Sequence, residues 1–527
     1  MYQTLLTRRY LFSKVMPLLA AAAVMLCTAM VLVTWSIMGG FLSMLIGTGR
    51  TLAGDVAISW PNTGFAHYAD LVDRLRTDPM IAGAAPVIET FGLVGLPDGR
   101  NETVIIRGVD GPSYASVTEY ANILWWKPLD KPLPKDTLRE DVRLTPLTRT
   151  SWRQIYENGL TLTRPDPVTG APRPAVVAGI EATGFNERLI EGFYAPRAVN
   201  KRTSTGRFEL IDTFMPTTGE VTINVLPLDT RGRVIETASR VFPVANEFQS
   251  GLFEIDEKVI LVQLDALQDM LKMGAARRLV DDPGASAAPT PQPAAEPDDD
   301  AFTSEPARRL VDDPARVTHV LVRGTGPMPS TPDAERLKAR VRAIYEGFAN
   351  DHPGAVPDVF SIRIQTWEDQ NRTMIQAVRK ETAVVLFVFS FISLTAVFLT
   401  LAIFWSMISE KTRDIGVLRA LGAGRAGVAG LWIGYGLVIG VVGSLLGLAL
   451  AYAIVLNINP IHDWLGRQLG IVIWDPRIYY FVKIPSRVEP DKALIVLVGG
   501  ILSCAVGAAW PAIRAATMHP VRALRFE

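Results

Sequence analysis

Four long stretches without charged residues interrupt the mixed pattern of polar and apolar positions along this chain. They cover residues 15–49, 382–409, 426–461 and 493–513. A helix needs about 20 apolar residues to cross a hydrocarbon core of about 30 Å, so each stretch is long enough for one span. The pattern therefore predicts four transmembrane helices, at 15–40, 381–409, 426–457 and 493–513.

The first and third stretches each have a competing interpretation. Arg8, Arg9 and Lys14 precede the first one, as in a secretory signal peptide, but the apolar part of a signal is only about 7–15 residues long. The third stretch, 426–461, would need about 40 residues plus a turn to cross twice. We therefore expect an uncleaved helix first and a single helix third.

Glycines recur four residues apart in the third stretch, as the pairs Gly430/Gly434, Gly436/Gly440 and Gly443/Gly447. This spacing lets helix backbones approach closely in lipid. Membrane helices are also rich in glycine without any such contact. The pattern leaves both interpretations open.

Basic residues cluster at the ends of the spans, and positive residues in short loops stay in the cytoplasm. The clusters are Arg8, Arg9 and Lys14, then Lys411, Arg413, Arg419 and Arg425, and last Arg514, Arg522 and Arg525. Four spans place all three on one side. This predicts a cytoplasmic N-terminus (1–14), inner loop (410–425) and tail (514–527), with an outer domain at 41–380 and an outer loop at 458–492.

The polar region between the first two spans predicts a mixed α/β domain. Strand-like alternation at 55–59 and 102–108 flanks a helical period at 67–76, and a similar pattern returns at 317–323, 333–348 and 359–364. Short strand candidates dominate 175–262. The predicted fold class is a membrane α-helical protein with a large extracytoplasmic α/β domain that carries an inserted β-rich subdomain at about 175–262.

Residues 275–316 are rich in proline, alanine and aspartate and have no periodic apolar set, which predicts a flexible segment. The octapeptide ARRLVDDP occurs identically at 276–283 and 307–314. It represents either a local duplication without function or a paired docking motif.

Thr366 and Asp369 have the spacing of a helix capping box, and neither proline nor glycine follows until Gly416. The second span therefore has a predicted outer stalk from about residue 367. A helix over 367–409 would be roughly 64 Å long at 1.5 Å per residue.

Composition narrows the possible chemistry. Lysine plus arginine total 53, and aspartate plus glutamate also total 53, so the chain has no net charge that would favour binding to nucleic acid. The mean hydropathy of +0.21 fits a protein that lies partly in a membrane. The two cysteines lie inside apolar stretches, the five histidines lack HExxH spacing, and GxSxG is absent. We expect no catalytic, cofactor-binding or metal-binding residues.

Three further observations concern function. No GxxxxGK[ST] phosphate loop occurs, so any ATP must be used by a partner. The spans contain none of the ionisable groups that would suggest an ion or proton pathway, which is unlike an ion-coupled carrier. A run of apolar residues at 123–126 is either core packing or a surface for lipid or an acyl chain.

The inner loop EKTRDIGVLRALGA, residues 410–423, has the most informative pattern. On a helix, Ile415, Leu418 and Leu421 share a broad face with Val417 at its edge, although Asp414 projects close to it. Such a helix could lie along the membrane or in the groove of a partner, and periodicity does not decide between them.

This loop closely resembles the signature of the FtsX-like ABC permease superfamily. The C-terminal PAIRAATMHPVRALRFE (511–527) resembles the signature of its lipoprotein-releasing permeases, of the LolC/LolE type. SIMGGF (36–41), FQSGLFEID (248–256) and DPRIYYFVKIP (475–485) are similar to the same subgroup. The resemblance implies that a separate ABC ATPase contacts the loop through Glu410, Lys411, Arg413, Asp414, Ile415, Gly416, Leu418, Arg419, Leu421 and Gly422.

The resemblance also implies a non-catalytic permease subunit in a bacterial inner membrane, with ATP and magnesium on the partner. Two permease chains, identical or paralogous, would release a lipid-anchored or hydrophobic substrate from the membrane. An alternative within the superfamily is a transducer that activates a cell-wall hydrolase without transport. A receptor without an ATPase fits the loop signature less well. The segments 127–174 and 275–316 look like additions to the family pattern, so substrate identity does not carry over.

Overall fold

The computed structural model describes residues 15–128, 149–188, 194–203, 205–228, 233–281, 308–326, 331–469 and 484–519. The predicted cytoplasmic N-terminus, residues 520–527 of the C-terminal signature, and residues 470–483 of the outer loop lie outside these residues. The chain divides into two compact units, one of Met1–Gly47 with Asn371–Glu527 and one of Thr48–Gln370. We call the first the membrane unit and the second the outer domain.

The helices follow in chain order. They are α1 (Val15–Gly49), α2 (Tyr68–Arg76), α3 (Gly111–Val117), α4 (Tyr120–Ile123), α5 (Arg149–Thr161), α6 (Met215–Thr218), α7 (Phe253–Lys258), α8 (Leu264–Leu271), α9 (Thr331–Asp351), α10 (Trp367–Gln370), α11 (Arg372–Glu410), α12 (Thr412–Ala420), α13 (Arg425–Leu456), α14 (Ile458–Leu469) and α15 (Pro490–Thr517).

The strands all lie in the outer domain. They are β1 (Val56–Ser59), β2 (Ile81–Gly95), β3 (Asn101–Val109), β4 (Thr163–Pro165), β5 (Pro172–Pro174), β6 (Val176–Gly179), β7 (Asn186–Arg188), β8 (Tyr194–Pro196), β9 (Val199–Arg202), β10 (Phe208–Ile211), β11 (Glu220–Val225), β12 (Ala238–Phe248), β13 (Val259–Gln263), β14 (Ala276–Asp281), β15 (Arg308–Asp313), β16 (His319–Gly324) and β17 (Arg363–Thr366).

Four helices of the membrane unit are long and apolar enough to cross a bilayer. They are α1, α11, α13 and α15, so the predicted four spans are confirmed at the level of the described helices. The third apolar stretch forms one helix, α13, which ends at Leu456. A separate helix, α14, begins at Ile458.

The outer domain is built on one nine-stranded sheet with the order β11-β12-β6-β13-β3-β2-β16-β1-β17. The far end of the long strand β2 also pairs with β11, through Gly92–Gly95 against Thr222–Val225, which closes six of the strands into a ring. The predicted α/β fold class is confirmed. The β-rich stretch at 175–262 contributes β6, β11, β12 and β13 to this same sheet, so it does not form a large sheet of its own.

Helices cover both faces of the sheet, and strands such as β1 are therefore buried on both sides. On one face, α2 contributes Leu71, Val72 and Leu75 as the helical period predicts, and α9 packs into the same core cluster. On the other face, Tyr114 and Tyr120 of α3 and α4 belong to a second cluster. The core thus lies on both sides of the sheet.

Three predictions need correction. The helix expected over 367–409 is divided at Asn371, where the backbone (φ −101°, ψ 18°) leaves helical geometry. The strand expected at 359–364 begins only at Arg363, because the Asp358 carboxylate accepts the backbone N–H groups of Phe360 and Ser361 and makes a turn there. The segment expected to be flexible, 275–316, contains β14 and β15, which pair with each other, while its residues 282–307 lie outside the described residues.

The capping box at the start of α10 is confirmed. The Thr366 N–H donates to the Asp369 carboxylate at 3.1 Å, and the Asp369 N–H donates to the Thr366 hydroxyl at 3.1 Å. The Asp369 carboxylate also accepts from Lys338 of α9 at 2.7 Å. These bonds fix the last element of the outer domain to its helical layer.

Candidate coupling loop and cavities

The inner loop folds as a nine-residue helix, α12, held between the spans α11 and α13. Thr412 at its start is buried, and its hydroxyl donates back to the Ile408 and Ser409 carbonyls at 3.1 and 2.9 Å. Lys411 forms an ion pair with Asp414 at 2.9 Å across the first turn. These contacts tie the beginning of α12 to the end of α11.

The end of α12 depends on one glycine. Gly422 has a φ of +96°, which an L side chain rarely adopts. With that conformation the Ala423 N–H reaches the Leu418 carbonyl at 3.0 Å and the Gly422 N–H reaches that of Arg419 at 3.2 Å. This is the Schellman arrangement, which satisfies the carbonyls that a helix end leaves open. It turns the chain sharply into α13.

The apolar residues of α12 do not act as one face. Ile415 is 2% exposed and belongs to a core cluster with α11, α13 and α15. Leu421 is 81% exposed, and Val417 is exposed as well. The predicted shared face of Ile415, Leu418 and Leu421 is therefore wrong, because the helix buries its Ile415 side against the spans.

The remaining predicted residues divide between anchoring and exposure. Gly416 is buried beside Ile415, and Leu418 is half-buried. Arg419 is half-buried too: it donates to the Ala423 carbonyl at 3.4 Å, and its Nε is buried without a partner. Glu410 and Arg413 are exposed. The outward surface of the loop consists of Arg413, Asp414, Val417 and Leu421, which we call the coupling face.

Glycines of α13 bring two neighbouring spans close. A Cβ on Gly436 or Gly440 would lie 2.6 Å from Ala508 Cβ or 2.9 Å from Cys504 Cβ, both on α15. A Cβ on Gly443 or Gly447 would collide with α1. The close-packing interpretation is confirmed for these two pairs, whereas Gly430 and Gly434 have nothing within 4 Å.

A cavity of about 270 Å³ opens between α1, α11 and α15 within the membrane unit. Its walls are mostly apolar, and both cysteines line it. Cys27 Sγ lies 3.5 Å from Ser393 Oγ, while the Thr400 hydroxyl donates to the Ala396 carbonyl of its own helix at 2.8 Å. The cavity is an apolar space with few polar groups in its walls. Sequence reasoning missed it, and its only signal is the small and hydroxyl side chains on three apolar helices.

A second cavity, of about 490 Å³, lies in the outer domain beside strands β1, β2, β3 and β16. Its polar lining includes an ion pair between Arg107 Nε and a Glu89 carboxylate oxygen, 2.7 Å apart. Arg107 holds the pKa of Glu89 below its usual value, and burial lowers the pKa of the neighbouring His319. Phe91, 74% exposed, and Leu226 give the cavity an apolar rim. Sequence reasoning missed this cavity because its walls combine the neighbouring strands β2 and β3 with β1 and β16, and β16 lies more than 200 residues further along the chain.

No group of three or more metal-ligating side chains occurs among the residues that the structure describes. Two of the histidines that looked scattered do meet: the His67 and His352 rings stack with centroids 4.5 Å apart, and His352 lies 3.0 Å from the Asp70 carboxylate. The run at 123–126 is core packing, as one interpretation predicted, since Leu124 and Trp126 are both buried.

Comparison with known proteins places the coupling face inside a recognised domain. Residues 386–520 match the family described as FtsX-like permease C-terminal. This range includes most of α11 and all of α12, α13 and α15. Similar proteins include two named lipoprotein-releasing system transmembrane protein LolC. That of Xylella fastidiosa strain 9a5c is 27% identical over 165 residues, which is 31% of this chain and 40% of the relative.

The LolC protein of Neisseria meningitidis serogroup B is 28% identical over 168 residues, 32% of this chain and 40% of the relative. A LolE protein of Haemophilus influenzae is 29% identical over 117 residues, 22% of this chain and 28% of the relative. The chain thus spans about two fifths of the length of the LolC relatives it matches. Together these matches confirm the predicted resemblance: residues 386–520 match the FtsX-like permease C-terminal family, and the chain is similar to the lipoprotein-releasing permeases LolC and LolE.

Proposed function

We propose that this chain is the permease subunit of an ABC transporter complex and that a separate ATPase drives it through the coupling face. The observation that carries the proposal is the construction of α12. Its Ile415 side is anchored among the spans, and Gly422 fixes its end. Val417 and Leu421 remain exposed beside Arg413 and Asp414. An exposed apolar pair flanked by both charge signs is a surface suited to a protein partner.

Anchoring makes the loop a transmitter of force. Because Ile415 packs in one cluster with residues of α11, α13 and α15, a displacement of α12 must move these spans or break that packing. ATP and magnesium belong to the partner in this proposal. This chain supplies the docking surface and the spans that move.

We further propose that the substrate is a lipoprotein or another hydrophobic molecule released from the membrane. The names of the relatives and the apolar cavity between α1, α11 and α15 support this substrate class. A second permease chain, identical or paralogous, would complete the complex.

Co-purification of the full-length chain from native membranes tests the coupling role. Arg413→Glu combined with Leu421→Asp should reduce the recovered ABC ATPase about tenfold, a loss of about 1.4 kcal/mol in association. Arg379→Glu is the matched control, because Arg379 is an exposed arginine near the opposite end of α11. Equal ATPase recovery with the double variant and the control would contradict the proposal.

The same preparation tests the substrate class. With the partner ATPase inactivated, an acylated protein trapped in the complex would support release from the membrane. A cell-wall hydrolase bound to the outer domain, with no acylated passenger, would instead support the transducer alternative and overturn the release proposal.

A further inference from the structure

The duplicated octapeptide forms a two-stranded ribbon with itself. The first copy supplies β14 and the second supplies β15, and the two strands pair antiparallel from Ala276↔Asp313 to Asp281↔Arg308. The register places Leu279 opposite Leu310, the same position in both copies. The ribbon therefore has an approximate two-fold axis at its centre.

The sequence of the motif explains this symmetry. Two arginines precede Leu-Val, and two aspartates follow, so the charges read plus, plus, minus, minus. An antiparallel copy consequently brings arginines to aspartates at both ends. One such pair is Arg277 Nε and Asp312 Oδ1, 3.2 Å apart. The motif is thus its own electrostatic complement in antiparallel orientation.

Among the residues that the structure describes, few contacts stabilise the ribbon. Among the described residues, β14 and β15 pair only with each other. A lone two-stranded ribbon is at best marginally stable in water, and an exposed ion pair contributes at most about 1 kcal/mol. Leu310 at its centre is 60% exposed. Each strand also has an outer edge whose backbone groups are open to a further strand.

We propose that the ribbon docks edge to edge on the same ribbon of a second copy of this chain, giving a four-stranded antiparallel sheet. Both edges carry the same sequence, so joining like edges of two copies, β14 to β14 or β15 to β15, repeats the antiparallel register and the charge order of the Arg277–Asp312 pair inside one chain. Such a contact is isologous, as a two-fold dimer requires. A partner with another sequence would have to reproduce this charge order. The inference does not depend on the coupling to an ATPase.

Disulfide cross-linking of the full-length chain in membranes tests the contact. Leu279→Cys and Leu310→Cys are made separately, with Cys27 and Cys504 replaced by alanine. The central position of an outer edge lies next to its own copy across the two-fold axis, so one of the two variants should give a disulfide-linked dimer on oxidation. Phe360→Cys is the control, because Phe360 is fully exposed on a turn of the same domain. No more dimer from either variant than from the control would overturn the proposal.

A charge-reversed motif gives an independent test. Arginines 277, 278, 308 and 309 become aspartate, and aspartates 281, 282, 312 and 313 become arginine in the cysteine variant that cross-links. This motif is still complementary to itself, so the reversed chains should cross-link with each other. They should not cross-link with differently tagged chains of the original sequence, because like charges then meet at both ends. Efficient mixed dimers would contradict the charge-directed contact.

The two proposals fail in different ways. Loss of the cross-link with normal ATPase co-purification would remove the ribbon contact and leave the proposed function standing. Loss of ATPase co-purification with an intact cross-link would contradict the proposed function and leave the ribbon contact standing.

Discussion

The pKa of Glu247 is determined by the groups that surround its carboxylate. Its carboxylate is fully buried in the outer domain and accepts hydrogen bonds from Trp126 Nε1 at 2.7 Å, Asn186 Nδ2 at 2.9 Å and Thr183 Oγ1 at 3.1 Å. Burial raises the pKa of Glu247 to about 7, against the three donors, which favour the ionised form. Folding therefore favours the protonated carboxyl.

This shift predicts a pH dependence of stability. A carboxyl whose pKa is near 4.5 unfolded and about 7 folded contributes most below pH 4.5. Its contribution falls as the pH rises to 7 and is level above that value, a total on the order of 3 kcal/mol. Unfolding of the solubilised chain, followed by tryptophan fluorescence between pH 4.5 and 8, measures it.

Two variants isolate the contribution of this residue. Glu247→Gln should remove most of the fall in stability between pH 4.5 and 7, because the amide does not titrate. Glu254→Gln changes an exposed carboxylate of the same domain and should leave the fall unchanged. If both variants retain the original pH profile, the assignment to Glu247 is wrong.

The sequence predicted individual hydrogen bonds correctly where both partners lie close together in the chain. Thr366 and Asp369 are three residues apart, so their capping box was predictable. Glu247 was not, because its donors come from positions 61 to 121 residues away. No spacing in the sequence brings such groups together.

At the scale of elements, the glycines of α13 divide into contacting and open pairs. The four-residue spacing predicted close helix approach without saying which pair makes it. Gly440 and Gly447 face α15 and α1, while Gly430 faces neither within 4 Å. The rotation of a helix in a bundle is set by all of its neighbours, so the sequence pattern of one helix could not choose. The same limit explains why Ile415 and Leu421 were wrongly placed on one face of α12.

Substitution of these glycines should separate the two groups. Gly440→Leu forces a side chain against Cys504 and Ile501 of α15, and such overpacking typically costs about 1–3 kcal/mol. The melting temperature of the detergent-solubilised chain should therefore fall. Gly430→Leu places the same side chain in open space and should change the melting temperature little. Equal effects of the two variants would refute the close contact of α13 with α15.

At the scale of the whole molecule, the number of spans was predictable because apolar length alone decides it. The α/β class of the outer domain was likewise visible in alternating and helical periods. The order of the nine strands was not predictable from the sequence. For example, β13 pairs parallel with β3 across more than 150 residues of chain, and no local sequence pattern indicates such a pairing. Both cavities share that origin, because their walls come from several distant elements.

The proposed function requires the coupling face to lie inside the cell and the outer domain to lie on the far side of the membrane. The most direct measurement is labelling of single cysteines by a membrane-impermeant maleimide in sealed, right-side-out vesicles. Leu421→Cys and Phe360→Cys report the two sides, with Cys27 and Cys504 replaced by alanine; both positions are exposed. We expect immediate labelling at position 360 and labelling at position 421 only after the vesicles are lysed. Equal labelling of both positions in intact vesicles would contradict the proposed function.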